Sequence, residues 1–259
     1  MHTAPGSGDR HFGEEGGLLS YGSYLRLPQL LDTLAPQSRH HDEPLFITVH
    51  QVYELWFRLL LHEVEGARDA LFDFDLRRCR HLLHRVHAIE RVLIEQIAVL
   101  ETMTPQDFLA FRELLSPASG FQSVQFRELE FVSGLKDPDF TGRLRAASDA
   151  ERARLSRRLT EPSLWDGFTA ALAERGVDAD LDGLVRIAVE PALGPLWDVA
   201  EDLLAHDESA ALWRARHVTM VERQIGGKQG TGGSSGDPYL RGRLDVRYYP
   251  LLWEVRGRL

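Results

Sequence analysis

Cys79 is the only cysteine in a chain of 259 residues. One thiol excludes an intrachain disulfide, a zinc site of several cysteines and a covalently attached c-type haem, and it fits a reducing cytosol. Long apolar runs are missing as well, since no stretch approaches the roughly 18 residues a membrane span needs. Nor is there an excess of basic charge. The net charge of −9 argues against nucleic-acid binding, because phosphate recognition favours a basic surface. The opening stretch, MHTAPGSGDRHFGEEGG, is polar, acidic and glycine-rich, without the apolar segment of a signal peptide. Residues 1–17 read as a mobile tail, and the cytoplasm is the expected address. Alternating strand patterns and internal repeats are lacking too.

What the chain does have is helical periodicity. Its length allows one large domain or two smaller ones. Apolar residues recur at three and four spacings from about Glu43 to Leu71, and again from about Leu76 to Thr102. Thr104-Pro105 opens a short helix reaching Leu115, and another is expected from Phe121 to about Gly134. Shorter helices are predicted over 148–160 and 162–175. A longer one spans Leu181 to Leu204, kinked or interrupted by Pro191 and Pro195, and a last one runs from about Glu208 to Ile225. Pro28 can open a short helix near the N-terminus. The fold class is therefore all-α, with residues 18–259 as a single domain. The basic residues of the second long helix, Arg77 to Arg91, read as a solvated face.

His50 sits in the middle of FITVHQVYELWF, an otherwise apolar helix segment. A core imidazole needs a hydrogen-bond partner or meets the cost of burying an unpaired polar group. It is either a structural histidine with a partner, the blander reading, or a group facing a pocket. His217 lies on the last helix, just before a glycine-rich run from Gly226 to Gly236. That run fails as a phosphate loop: Gln229, not Ser or Thr, follows Lys228, and the run leaves a helix instead of a strand. It fails as a dinucleotide fingerprint because Ser235 stands where the third glycine would fall. A flexible linker and a mobile lid over a site remain, and the lid accounts better for the ordered-looking flanks. The other histidines fall on the second long helix, at His62, or in tails and connections (His2, His11, His40, His41, His206). No HxxxH or HExxH pair supports a zinc site. One histidine on each of two separated helices is compatible with a haem pocket, though spacing alone does not select that reading.

LFITVHQVYELWF, FRELLSPASGFQSVQFRELE (111–130) and RHVTMVERQIGGKQGTGGSSGDPYL (216–240) resemble, in the same order, the signature segments of the tryptophan 2,3-dioxygenase family. YGSYL (21–25) is similar to a fourth. The likeness runs from about Leu18 to Tyr249, loosely between Lys136 and Ala210.

The resemblance implies a helical bundle around a buried pocket for one non-covalent haem b per subunit, and a dioxygenase acting on L-tryptophan and O2. His217 matches the proximal haem ligand, and Ser119 falls beside the haem. His50 matches the distal histidine that accepts the indole N–H, and Phe46 would pack against the indole. Phe108 would wall the pocket, and Arg112 would clamp the substrate carboxylate with its planar fork of donors. Thr231 would hydrogen-bond the amino-acid end, with a haem propionate offsetting the ammonium. Tyr21, Tyr24 and Leu25 match residues that complete the site of a neighbouring subunit, so a homotetramer is expected. The rival readings are a related haem oxygenase acting on a substituted tryptophan in a biosynthetic pathway, and a haem-based gas sensor without turnover. A carboxylate clamp has no use in the sensor.

Overall fold

Val49, Tyr53, Phe57, Leu60, Val64, Ala67 and Leu71 repeat every three or four positions, and all are buried. Such a stripe is satisfied only by a helix with one face inward. In the computed structural model, which describes residues 19–140, 147–231 and 240–259, it lies on helix α3, Glu43–Phe72. The start of α3 is fixed by Glu43 itself, which is fully buried. Its carboxylate accepts the Gln37 and Ser38 backbone N–H groups at 2.6 and 2.7 Å and the Ser38 hydroxyl at 2.5 Å.

The described residues fall into two units, one up to Pro36 and one from Gln37 to Leu259. In the first, Ser20 caps a short helix α1, Tyr21–Tyr24, in a capping box with Ser23. Arg26 follows in the left-handed region (φ 53°), and Pro28 lies in the first turn of α2, Leu27–Leu31. Neither helix has a buried residue, and Tyr21, Tyr24 and Leu25 are exposed. The tail expected over residues 1–17 lies outside the described residues.

In the second unit, α3 is followed after a tight turn at 73–75 by α4, Leu76–Leu100, capped by Asp75 on the Arg78 N–H at 2.8 Å. So short a connection makes the two antiparallel neighbours. Thr104 and Asp107 form the capping box of α5, Pro105–Arg112, which tightens into a 3-10 turn at Glu113–Leu115. Helix α6 covers Val124–Ser133. It starts at Val124 rather than at Phe121, because Gly120–Gln122 forms a separate 3-10 turn and Ser123 then caps α6 on the Phe126 N–H. Helices α7 (Asp149–Thr160) and α8 (Leu164–Ala173) follow, each with a serine capping box. Helices α4, α6 and α8 pack on α3, and α7 packs on α6. Among the described residues there is no strand, and no helix is long and apolar enough to cross a membrane.

The expected break between a helix ending at Leu204 and another starting at Glu208 does not exist. Helix α9 is Leu181–Val189, Pro191–Leu193 is a 3-10 turn, and α10 then runs unbroken over 32 residues, Gly194–Ile225. Pro195 does not kink a helix but occupies the first turn of one, where its missing N–H has no partner to lose. The polar stretch His206-Asp207 reads as a connection in the sequence, yet both side chains are buried and partnered. Asp207 accepts the Tyr249 N–H at 3.0 Å and the Trp253 indole N–H at 2.9 Å. Tyr249 precedes the last short helix, α11, Pro250–Glu254. The basic face of α4 is also only partly solvated. Arg80 pairs with Asp198 and Asp202 of α10, and Arg85 with Glu63 of α3, while Arg77, Arg78 and Arg91 stay exposed.

Candidate functional site

Helix α3 carries His50 half-buried, with Nδ1 2.7 Å from the carbonyl oxygen of Phe46 one turn earlier. A carbonyl can only accept, so Nδ1 bears the hydrogen. The neutral ring is then left with Nε2 as an acceptor. Burial lowers the pKa of His50, against opposing contributions from the Phe46 hydrogen bond and the Glu54 carboxylate, and so favours that neutral form. The imidazole does have a local partner, as the blander reading required, but among the described residues only at one nitrogen.

Aromatic rings gather beside it. Phe46 lies 4.1 Å from the His50 ring, stacks on Phe108 of α5 at 5.5 Å and meets the edge of Phe111 at 5.9 Å. Helical spacing then places Arg112 one turn after Phe108, in the last turn of α5. The guanidinium donates through Nη2 to the Gln229 carbonyl. Two residues on, the Thr231 hydroxyl donates to the Ala118 carbonyl at 2.6 Å, and the Ser116 hydroxyl donates to the Thr231 carbonyl at 3.3 Å. Arg112 and Thr231, far apart in sequence, thus share one locus where the start of the glycine run rests on the 112–118 turn. The part of that run from Gly232 to Gly236 lies outside the described residues. Ser119 caps the neighbouring 3-10 turn, its hydroxyl accepting the Phe121 N–H at 3.4 Å.

His217 comes from α10. Its ring lies parallel to Trp213, one turn earlier, with centroids 5.2 Å apart and planes 16° apart. Trp213 is itself held by Phe126 at 5.1 Å and Tyr53 at 6.2 Å, and the Tyr53 hydroxyl donates to the Leu93 carbonyl at 2.8 Å. Burial pushes the His217 pKa down to about 4, and the His50 imidazole adds to the shift. Neither ring nitrogen of His217 finds a hydrogen-bond partner among the described residues. A neutral imidazole without a partner is the donor a haem iron takes as an axial ligand, so the residues present fit that group.

His50, Phe46 and Phe108 are thus linked by ring contact, Arg112 and Thr231 meet where the glycine run rests on the 112–118 turn, and His217 stacks on Trp213. Ser119 adjoins the group through Ala118. Tyr21, Tyr24 and Leu25 belong to the other unit. Two features escaped the sequence: Trp213 as the ring against His217, and a buried Glu90–His206–Ser133 chain described below. The spacing of Trp213, four residues before His217, is a readable signal. His206 has none, because its partners are distant in sequence.

A family model described as tryptophan 2,3-dioxygenase matches residues 6–176 and 139–259. The chain is 60% identical to a tryptophan 2,3-dioxygenase of a Nocardioides species, over 96% of this chain and 97% of that one. It is 42% identical to a tryptophan 2,3-dioxygenase of Herpetosiphon aurantiacus, over 93% and 98%. One from Burkholderia pseudomallei is 43% identical, over 93% and 85%.

Proposed function

The chain belongs to the tryptophan 2,3-dioxygenase family, and on that premise we propose that it binds one haem b and cleaves the indole C2–C3 bond of L-tryptophan with O2. The product is N-formyl-L-kynurenine, the first intermediate of oxidative tryptophan breakdown, and both oxygen atoms are kept in it. His217 would hold the haem iron through a neutral ring nitrogen, and Ser119 would lie beside the haem. When bound, the haem supplies the oxygen chemistry. Because the substrate provides all the electrons, no reductase is required.

The protein's own part is positioning and water exclusion. Phe46 and Phe108 flank the indole. His50 accepts the indole N–H at Nε2, the nitrogen its bond to Phe46 leaves free. It is not an obligatory base: an indole N–H is a very weak acid, and burial makes this imidazole a weaker base than usual. Arg112 exchanges the Gln229 carbonyl for the substrate carboxylate, which can take both arms of its fork. Thr231 turns its hydroxyl from Ala118 to the amino-acid end of the substrate.

Tyr21, Tyr24 and Leu25 reach the site of a neighbouring subunit in a homotetramer, and their exposure supports that role. The working compartment is the cytoplasm.

The observation that carries this reading is the pair His50 and His217: among the described residues, one imidazole is partnered at Nδ1 alone and the other at neither nitrogen. The test is to reduce haem-loaded protein without oxygen, then add L-tryptophan and air. The formylkynurenine absorbance and a mass gain of two oxygen atoms are expected. A gain of one oxygen, or stable gas binding without product, would overturn the proposal.

A further inference from the structure

His206 is 1% exposed, yet both of its ring nitrogens are engaged. Nδ1 lies 2.6 Å from Glu90 Oε1 of α4, and Nε2 lies 2.9 Å from the Ser133 hydroxyl at the end of α6. An imidazole has one donor and one acceptor to give: it donates to the carboxylate and accepts the serine hydroxyl hydrogen. One side chain therefore ties α10 to two other helices in directions that cannot both be satisfied if α10 slides or turns.

Helical geometry connects this chain to the site. His217 lies eleven residues further along α10, which is three turns plus about 20° and a rise of about 16 Å, so both point to the same side. A small cavity of about 30 Å³ is lined by both His206 and Trp213, together with Glu90, Ser209, Phe126 and Tyr248. Apolar packing is non-directional, and beside a cavity it leaves slack. Hydrogen bonds weaken steeply once distance and angle change. The Trp213 ring that walls the cavity is also the ring stacked on His217.

We infer that His206, held by Glu90 and Ser133, is a positioning residue that fixes the axial placement and rotation of α10, and through Trp213 the orientation of the His217 imidazole. This rests on His217 being the haem ligand. Glu90 Oε2 has no hydrogen-bond partner among the described residues. Removing the imidazole would therefore leave a buried carboxylate wholly unpaired, and the chain Glu90–His206–Ser133 acts as a unit.

The test compares Ser133→Ala, His206→Asn, His206→Leu and a packing control, Leu196→Ala, which is buried on the same helix. Resonance Raman of the anaerobic ferrous haem protein reads the iron–histidine stretch, which reports the ligand's orientation independently of turnover. His206→Leu and Ser133→Ala are expected to shift and broaden that band. His206→Asn should recover part of it, since its amide N–H can replace the donor to Glu90. Leu196→Ala should lower the unfolding temperature with the band unmoved. A wild-type band in Ser133→Ala, or an equal shift in Leu196→Ala, overturns the inference. Should His206→Leu not fold, Ser133→Ala decides alone, because it removes one hydroxyl only. If wild-type protein shows no histidine-bound iron, the assignment of His217 fails separately. Amide exchange over residues 210–220 of the haem-free protein then decides: faster exchange in Ser133→Ala supports the inference, and equal exchange overturns it.

Discussion

The carbonyl oxygen of Phe46 lies 2.7 Å from His50 Nδ1, and this single backbone contact sets which nitrogen of the imidazole is free to meet a ligand. With Nδ1 donating, Nε2 can accept from an N–H but has no hydrogen to offer. Replacing His50 with Ala should therefore lower activity on L-tryptophan without loss of haem. Turnover of 1-methyltryptophan, which lacks the N–H, should fall much less. Equal losses in kcat/KM for the two substrates would sink the assignment.

The same burial sets an acid limit. The His50 pKa is lowered, so the neutral acceptor form persists to more acidic pH than an exposed imidazole allows. As pH falls through that lowered value the acceptor is lost. The acid limb of kcat/KM for L-tryptophan should accordingly lie below about 6.5, the ordinary histidine value. A limb above it in a pH–rate profile would show that another group controls binding.

Arg112→Lys should cost far more than its retained charge suggests, because an ammonium cannot form the bidentate fork. The loss in transition-state binding is expected at about 2–4 kcal/mol. Tryptamine, without a carboxylate, should react about equally with both proteins. Steady-state comparison of the two substrates checks this, and an unchanged preference for L-tryptophan in the variant excludes Arg112 from the site.

His217→Ala should abolish tight haem retention. Gel filtration of reconstituted protein followed by its visible spectrum measures it. A variant that keeps a histidine-ligated spectrum and full turnover would place the ligand elsewhere.

Glu43→Ala should destabilise the fold by about 2 kcal/mol or more, since the Gln37 and Ser38 N–H groups would lose a charged acceptor. Glu43→Gln should fall between, because its amide keeps one acceptor oxygen. Chemical unfolding of the three proteins gives the comparison. No loss in Glu43→Ala would mean that water replaces the carboxylate there.

Where one physical rule dominates, the sequence is easy to read. Helices α3 and α4 follow from an apolar stripe at three and four spacings, and their bounds match expectation within two residues. The stretch 181–225 defeats the same reading because two rules conflict. Pro191 does interrupt the helix as expected, but Pro195 sits in the first turn of the next one, and His206-Asp207 looks like a polar connection but is core. Burial of polar groups depends on partners, and those of His206 are 116 and 73 positions away. The site divides likewise. Resemblance supplies the residue roles, and geometry brings together His50, Phe46, Phe108, Arg112 and Thr231. Only the fold reveals that Arg112 and Thr231 already have backbone partners.

Asp207 takes both of its hydrogen bonds from the far side of the chain, 42 and 46 residues downstream. On the ribosome, α10 is therefore made well before the residues that satisfy it. Until Tyr249 and Trp253 have emerged, its buried carboxylate has neither donor, and docking of α10 against the finished N-terminal helices is incomplete. The helix that carries His217 therefore completes its docking only once Tyr249 and Trp253 are in place.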